Sequence, residues 1–389
     1  MAKPVALIVG AGIAGLAAAW WLDKAGWQSI VVDRAEAFRV GGYTMTISGL
    51  GHETVKHMSL LDELQSVAQH FDCNIINDCN GRELCRVKYV DVHGGGLDAL
   101  AVRRDELARL LAKSLPDSCS IRFQETVSEF TEEGDKVRVV LAGGDVIEAD
   151  LLIGADGFRS QIRRSLWKDS EGEFLEPLGY YYAAYNFSQQ AETQNDCHSF
   201  NRPGQLDMLF ALRDKGMTGM HIWREDQTLS TESSRDKFDI LRKITSQSVQ
   251  QVRDAVDQAD KAGALVNMDS LTLVTLPRWS KGRVVLLGDA AHCLTLLSGQ
   301  GAGMALVSAE ILGKELQKTP DVLEALRNHE AKLRPSIERL QARSRRMAAW
   351  FIPKSTIAYY FRNLLLKILP YSWIVNFHVS TIKSEIELL

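Results

Sequence analysis

Near the N-terminus stands Gly10-Ala11-Gly12-Ile13-Ala14-Gly15, with the spacing G-x-G-x-x-G. The chemistry here is that of missing side chains. Gly10 allows a tight turn, Gly12 lets the backbone approach a pyrophosphate, and Gly15 lets a helix pack on a strand. Ala14 is the small residue beside Gly15. Asp33 follows Gly15 by eighteen residues and can accept hydrogen bonds from a ribose hydroxyl pair. Two later turns are of the same kind. Gly154-Ala155-Asp156-Gly157 ends an apolar run, and Gly288-Asp289-Ala290-Ala291-His292 ends another. Gly299-Gln300-Gly301-Ala302-Gly303 then opens a helix, whose free N–H groups at Gly301, Ala302 and Gly303 can face developing negative charge.

These residues need particular elements to hold them. Residues 5–9 are an apolar strand, the Ala/Leu/Trp-rich run after Gly15 a helix, and residues 29–33 a second strand, so the glycine turn sits in a βαβ unit. Helices are expected at 53–67 and 104–115, and a hairpin with its turn at Asn80-Gly81 at 72–92. Gly94-Gly95-Gly96 reads as a loop. From about Pro177 the texture becomes that of an antiparallel sheet with a polar helical region at 234–260. The apolar strand 282–288 returns to the first unit. A long amphipathic helix at 320–350 and two tail helices broken by Pro370 close the chain. The expected organisation is α/β: a Rossmann-like dinucleotide-binding domain at 1–176 and 278–318, an inserted antiparallel-sheet substrate domain at 177–277, and C-terminal helices at 319–389.

The 389 residues exceed one typical core. With a net charge of -4 and no long like-charge runs, nothing calls for a nucleic-acid partner and none is expected. The six cysteines have no zinc spacing and read as reduced thiols, which with no N-terminal signal segment points to the cytoplasm; no metal is expected. There is no second glycine fingerprint, so one dinucleotide is resident and a second only visits.

Four separated motifs, Gly10 to Gly15 with Asp33-Arg34, Val102 to Leu107, Gly154 to Gly157 and Gly288 to Gly303, resemble the single-component FAD-dependent aromatic hydroxylases of the para-hydroxybenzoate hydroxylase type. Within that group the tail is most similar to the tetracycline-inactivating flavin monooxygenases. The resemblance implies bound FAD, transient NADPH or NADH, and O2, with oxygen passing from a flavin hydroperoxide to an aromatic or enolic polycyclic substrate, tetracyclines included. Gly10, Gly12, Ala14 and Gly15 would hold the pyrophosphate and Asp33 the adenosine ribose. Arg34 and Arg104 match basic FAD contacts, Asp156 the aspartate of the D-G turn, Asp289 the ribityl contact, and Gly299, Gly301, Ala302 and Gly303 the second glycine turn. No side chain is expected to act as catalytic acid, base or nucleophile, since the flavin carries the chemistry. His292 reads as a packed, hydrogen-bonded structural histidine. Two positions depart from the family: Leu296 replaces a proline and Gly303 an asparagine.

The substrate is expected between the flavin and the inserted sheet, with Met45, Ile47, Arg213, His221, Trp223 and Leu296 as candidate contacts. The apolar tail around Tyr359 to Leu369 fits a lid, a dimer interface or, in third place, a membrane surface. Monomer and dimer both remain open. A geranylgeranyl-type flavin reductase, and a hydroxylase of another phenolic or lipid-like substrate, are the alternatives.

Overall fold

The computed structural model describes residues 3–38, 43–93, 99–168, 170–188, 195–213, 216–227, 229 and 233–376. Gly94-Gly95-Gly96 and residues 377–389 lie outside these.

The strand Val5–Val9 lies between Gln28–Asp33 and Leu151–Gly154, parallel to both. Cys119–Phe123 and Val284–Leu286 extend this parallel sheet on either side, and Ser280–Lys281 adds an antiparallel edge. Its central strands are almost wholly apolar because both faces are covered. Helices Ile13–Lys24 and Gly301–Lys318 cover one face. They approach so closely that a Cβ at Gly313 would lie 2.7 Å from the Cβ of Trp21. A three-stranded antiparallel layer, Val127–Glu133, Lys136–Leu141 and Val146–Ala149, packs Val127, Val137, Val139 and Leu141 on the other.

The second sheet has seven strands, in the order Asn267–Val274, Leu175–Ser188, Gly216–Arg224, Gln205–Ala211, Asp196–Arg202, Cys73–Asn77 and Glu83–Lys88. It is antiparallel except where Asp196–Arg202 meets Cys73–Asn77. The hairpin turning at Gly81 (φ +79°) thus joins the second sheet, although its sequence position lies within 1–176. Local alternation marks it as a half-buried strand pair; only long-range pairing chooses its sheet. Helices Ser234–Thr245 and Gln250–Lys261 cover one face, packing on Tyr185, Phe187, Phe200 and Trp223.

Three expected elements differ. The helix expected at 53–67 is two, Gly49–His57 and Leu61–Val67, separated where Ser59 takes φ +57°. The polar helical stretch 234–260 breaks after Thr245, whose Oγ1 donates to the Leu241 carbonyl at 2.7 Å, a local bond that competes with helix continuation. The stretch 35–51, whose glycines read as those of a loop, contains the strand Thr44–Ser48, paired with Ala99–Arg103. Helix Val322–Phe351 starts at Asp321, whose carboxylate accepts from the Leu323 and Glu324 N–H groups. Helix Thr356–Ile368 follows, and residues 371–376 form a further helical turn after Pro370.

Candidate cofactor cleft and substrate cavity

The glycine turn has the geometry that its missing side chains allow. Gly10 takes φ +111°, and a Cβ there would lie 2.4 Å from the Ala155 carbonyl oxygen. At Gly15 it would lie 2.0 Å from the Gly10 oxygen. At Gly12 it would meet nothing within 4 Å, because Gly12 faces a cleft. Leu16 N donates to the Gly12 carbonyl at 3.0 Å, so the preceding N–H groups of the first turn have no intrahelical partner and can serve an anion. The Asp33 carboxylate accepts from Ala11 N at 2.8 Å and Ala35 N at 2.9 Å. It therefore fixes the turn, and its remaining lone pairs border the cleft.

The cleft is continuous and has a volume of about 1970 Å³. Single ligand pockets run to about 300–1,000 Å³, so it can hold a dinucleotide and a second molecule together. Gly10, Gly12, Ala14, Asp33, Arg34, Arg104, Asp156, Asp289, Gly299, Gly301 and Ala302 all line it. Gly15 and Gly303 do not; Gly15 is a packing glycine. Asp156 Oδ2 accepts from Gln161 N at 2.6 Å and Ile162 N at 3.2 Å, capping the next helix, while its buried Oδ1 has no partner. An unpartnered carboxylate oxygen on a residue lining the cleft, the open cradle at Gly12 and the first-turn N–H groups together fit FAD.

A Cβ on Gly303 would come no closer than 3.4 Å to its neighbours, so nothing in the structure explains its departure from the family's asparagine; the glycine that the packing requires is Gly51. Helices Gly49–His57 and Gly301–Lys318 cross at Gly51 and Gly303, where a Cβ on Gly51 would lie 2.5 Å from the Gly303 Cα. Backbone cannot yield as a side-chain tip does. Gly51→Ala is expected to destabilise the protein by about 1–3 kcal/mol, as overpacking does; a lowered denaturant midpoint with an unchanged slope would show it. An unchanged midpoint would mean that the two helices separate freely.

The substrate candidates divide. Met45 and Leu296 line the cleft. Ile47 is core, packed with Val55 and Val102. Along Gly216–Arg224, Met220 and Ile222 face the cleft, so strand alternation turns His221 and Trp223 the other way, under the covering helices. His221 Nδ1 is 2.8 Å from Asp207 Oδ1 and its Nε2 is 2.9 Å from the Tyr185 hydroxyl; Ser248 donates to Asp207 Oδ2 at 2.7 Å. That set is a satisfied buried network. Trp223 stacks on Tyr181. Arg213 is exposed, with its N–H bonded to Gln69 Oε1 and its guanidinium to the Ser66 carbonyl, and does not line the cleft.

Other residues take their place. Tyr43 and Tyr182 meet edge to face at 6.3 Å and border the cleft beside Arg104. Burial raises both phenols, which keeps their protons on at neutral pH. Alternation in Tyr180-Tyr181-Tyr182 shows that one face carries two of these rings but not which face. Thr295 precedes Leu296 with φ +61° and ψ 161°, a conformation natural to glycine, and its buried Oγ1 has no partner. The tail reaches the cleft through Met347, Trp350, Phe351, Arg362, Leu366 and Trp373. Its outer face leaves Ile357, Tyr360, Phe361, Leu364 and Ile368 exposed. No helix among the described residues is long and apolar enough to cross a membrane.

A parallel sheet whose glycine turn opens on a cleft shared with a second, largely antiparallel sheet defines a dinucleotide-cofactor enzyme. The chain belongs to the FAD binding domain family, whose model matches residues 3–321, and to its flavin-dependent monooxygenases. It is 28% identical over 342 residues to a flavin-dependent monooxygenase from an unknown prokaryotic organism, covering 85% of this chain and 86% of that one. Among solved structures, the tetracycline destructase Tet(51) superposes with a TM-score of 0.81 at 24% identity, covering 97% of this chain and 98% of its own. Klebsiella pneumoniae HpxO, complexed with FAD and uric acid, gives 0.84 at 22% identity, covering 98% and 97%. At these identities the two structures speak for the fold.

Proposed function

We propose that the chain uses NAD(P)H and O2 to hydroxylate an aromatic or enolic polycyclic substrate, with tetracyclines the first to test. The observation that carries this is the single cleft running from Gly12 to the apolar residues Met208, Met220 and Ile222 of the second sheet. It lets a substrate lie against a bound flavin. In this reading Gly10, Gly12 and the first-turn N–H groups hold the pyrophosphate, and Asp33 holds the ribose. Arg34, Arg104, Asp156 and Asp289 hold the remainder of FAD. The N–H groups of Gly301 and Ala302, at the start of an eighteen-residue helix, favour negative charge on the flavin's pyrimidine edge. When bound, FAD supplies electron transfer and oxygen activation. The chain's own task is to seat the substrate and exclude water, and the tail acts as its lid.

The test is NADPH-driven oxygen consumption by the purified flavoprotein, with and without tetracycline or a panel of phenols. Substrate should accelerate both NADPH oxidation and O2 uptake, with one oxygen atom from O2 retained in the product. NADPH oxidation that no aromatic substrate accelerates would defeat the reading. Reduction of substrate without O2 uptake would point to a reductase instead.

A further inference from the structure

The tail helix Thr356–Ile368 brings one cation into the cleft. Arg362 is only 5% exposed. Its Nη1 donates to Asn201 Oδ1 at 3.0 Å and to the Phe351 carbonyl at 3.1 Å, and its Nε and Nη2 donate to Asn363 Oδ1 at 3.2 and 2.7 Å. The guanidinium also lies 5.6 Å from the centre of the Tyr359 ring. Every one of these acceptors is neutral. The titratable groups facing it are Tyr359 and Cys85, and among the described residues no carboxylate pairs with it. Burial accordingly works against its charge.

A buried cation without a counter-charge costs several kcal/mol, and guanidinium stays charged regardless. The four bonds engage four of its five N–H groups, so one Nη2 hydrogen is left. Asn201 stands on the cleft-facing side of Asp196–Arg202, and both it and Arg362 line the cavity. That remaining N–H can donate to one anionic oxygen, and the full positive charge behind it makes the bond charge-assisted.

We propose that Arg362 is a specificity-determining residue that donates its remaining N–H to one anionic oxygen of the substrate, on a carboxylate or a delocalised enolate, and so fastens the tail helix over an acidic ligand. This deepens the hydroxylase reading, and takes from it only that the ligand of this cleft is the substrate. An acid would supply the charge that the protein withholds, whereas a neutral ester would not. Charge-assisted hydrogen bonds of this kind are about twice as strong as neutral ones.

The test is equilibrium dialysis of the FAD-loaded protein against 3-hydroxy-2-naphthoate and its methyl ester at neutral pH. The acid should bind at least about tenfold tighter than the ester. Arg362→Met should bring the two within about twofold, and Arg362→Lys should keep part of the preference, since it retains the charge but not the bonds to Asn201 and Asn363 that hold the group in place. Asn201→Asp places an internal carboxylate beside the guanidinium, so it should erase the preference while raising the melting temperature. It decides the matter should Arg362→Met fail to fold. Equal binding of acid and ester by the wild type, no binding of either, or an undiminished preference in Asn201→Asp would each overturn the proposal. Oxygen consumption reports separately on the hydroxylase reading: acid preference without turnover would keep the anion site and remove the monooxygenase substrate.

Discussion

Gly15→Ala is expected to yield a protein that carries no flavin. The new Cβ would lie 2.0 Å from the Gly10 carbonyl oxygen and 3.2 Å from Ile8 Cγ2. One obstacle is backbone and the other a fully buried core side chain, so helix Ile13–Lys24 has to lift from its strand. Overpacking costs about 1–3 kcal/mol and occasionally more, and this contact belongs at the upper end. Gly12→Ala is the informative partner. Its Cβ meets no protein atom, so stability without flavin should stay within about 0.5 kcal/mol of wild type. Yet the methyl enters the space assigned to the pyrophosphate, and FAD affinity should fall by about tenfold or more, or at least about 1.4 kcal/mol. Flavin titration of the apoprotein, with a denaturation curve for each variant, separates the two roles. Wild-type FAD affinity in Gly12→Ala would show that the phosphates bind elsewhere.

Acidification below pH 6.5 should unfold the protein steeply, through two buried imidazoles. His292 and His329 flank Trp279, with ring centroids 4.8 and 5.8 Å from its own. His329 Nε2 lies 3.0 Å from Ser308 Oγ, while His329 Nδ1 and His292 Nε2 have no partner. Burial pushes His292 down to about 3, with the neighbouring His329 adding to the shift, and burial pushes His329 down to about 4. An unfolded imidazole takes its proton near pH 6.5, so below that pH the unfolded chain binds more protons than the folded one. Stability is therefore full above pH 6.5 and is lost as pH falls towards 4 and then 3. Each imidazole contributes slightly more than about 1 kcal/mol per pH unit, so the pair contributes about 2–3 kcal/mol per unit. Against a total of about 5–15 kcal/mol, two units suffice to matter. The paired variant His292→Leu with His329→Leu removes both protons and should flatten the slope between pH 6 and 4, read from urea midpoints. It leaves the Ser308 hydroxyl unpaired, at about 1–3 kcal/mol, so slope rather than level is the readout. Equal slopes in wild type and variant would show that carboxylates alone set the acid limit.

The glycine turn could be read because its requirement is local. Gly10, Gly12 and Gly15 act on atoms brought near by one strand, one turn and one helix, and Asp33 arrives by way of the paired strand next door. Asp289 and Gly299 to Ala302, which border the same cleft, lie in turns written in consecutive residues; Gly303, expected beside them, does not line it. His292 is packed, as expected of a histidine with no chemical neighbour in sequence, but its buried Nε2 lacks the hydrogen bond also expected of it. The substrate side was another matter. Met217 to Trp223 shows clear alternation, and alternation is symmetric under exchange of faces. His221 and Trp223 were the chemically attractive residues, and they are the ones turned under the helices.

What the sequence by itself determined is that the chain is α/β, and which glycine and aspartate turns border the cleft. Short-range sterics and hydrogen bonding suffice for that. Tertiary structure alone decided the rest. It put the hairpin Cys73–Lys88 on the second sheet, turned Met220 and Ile222 towards the cleft in place of His221 and Trp223, set Gly51 against Gly303, and carried Arg362 from the tail to Asn201. Each of these joins residues distant in the chain. Their partners are chosen by which faces must be buried once all the elements pack together, and no local spacing encodes that choice.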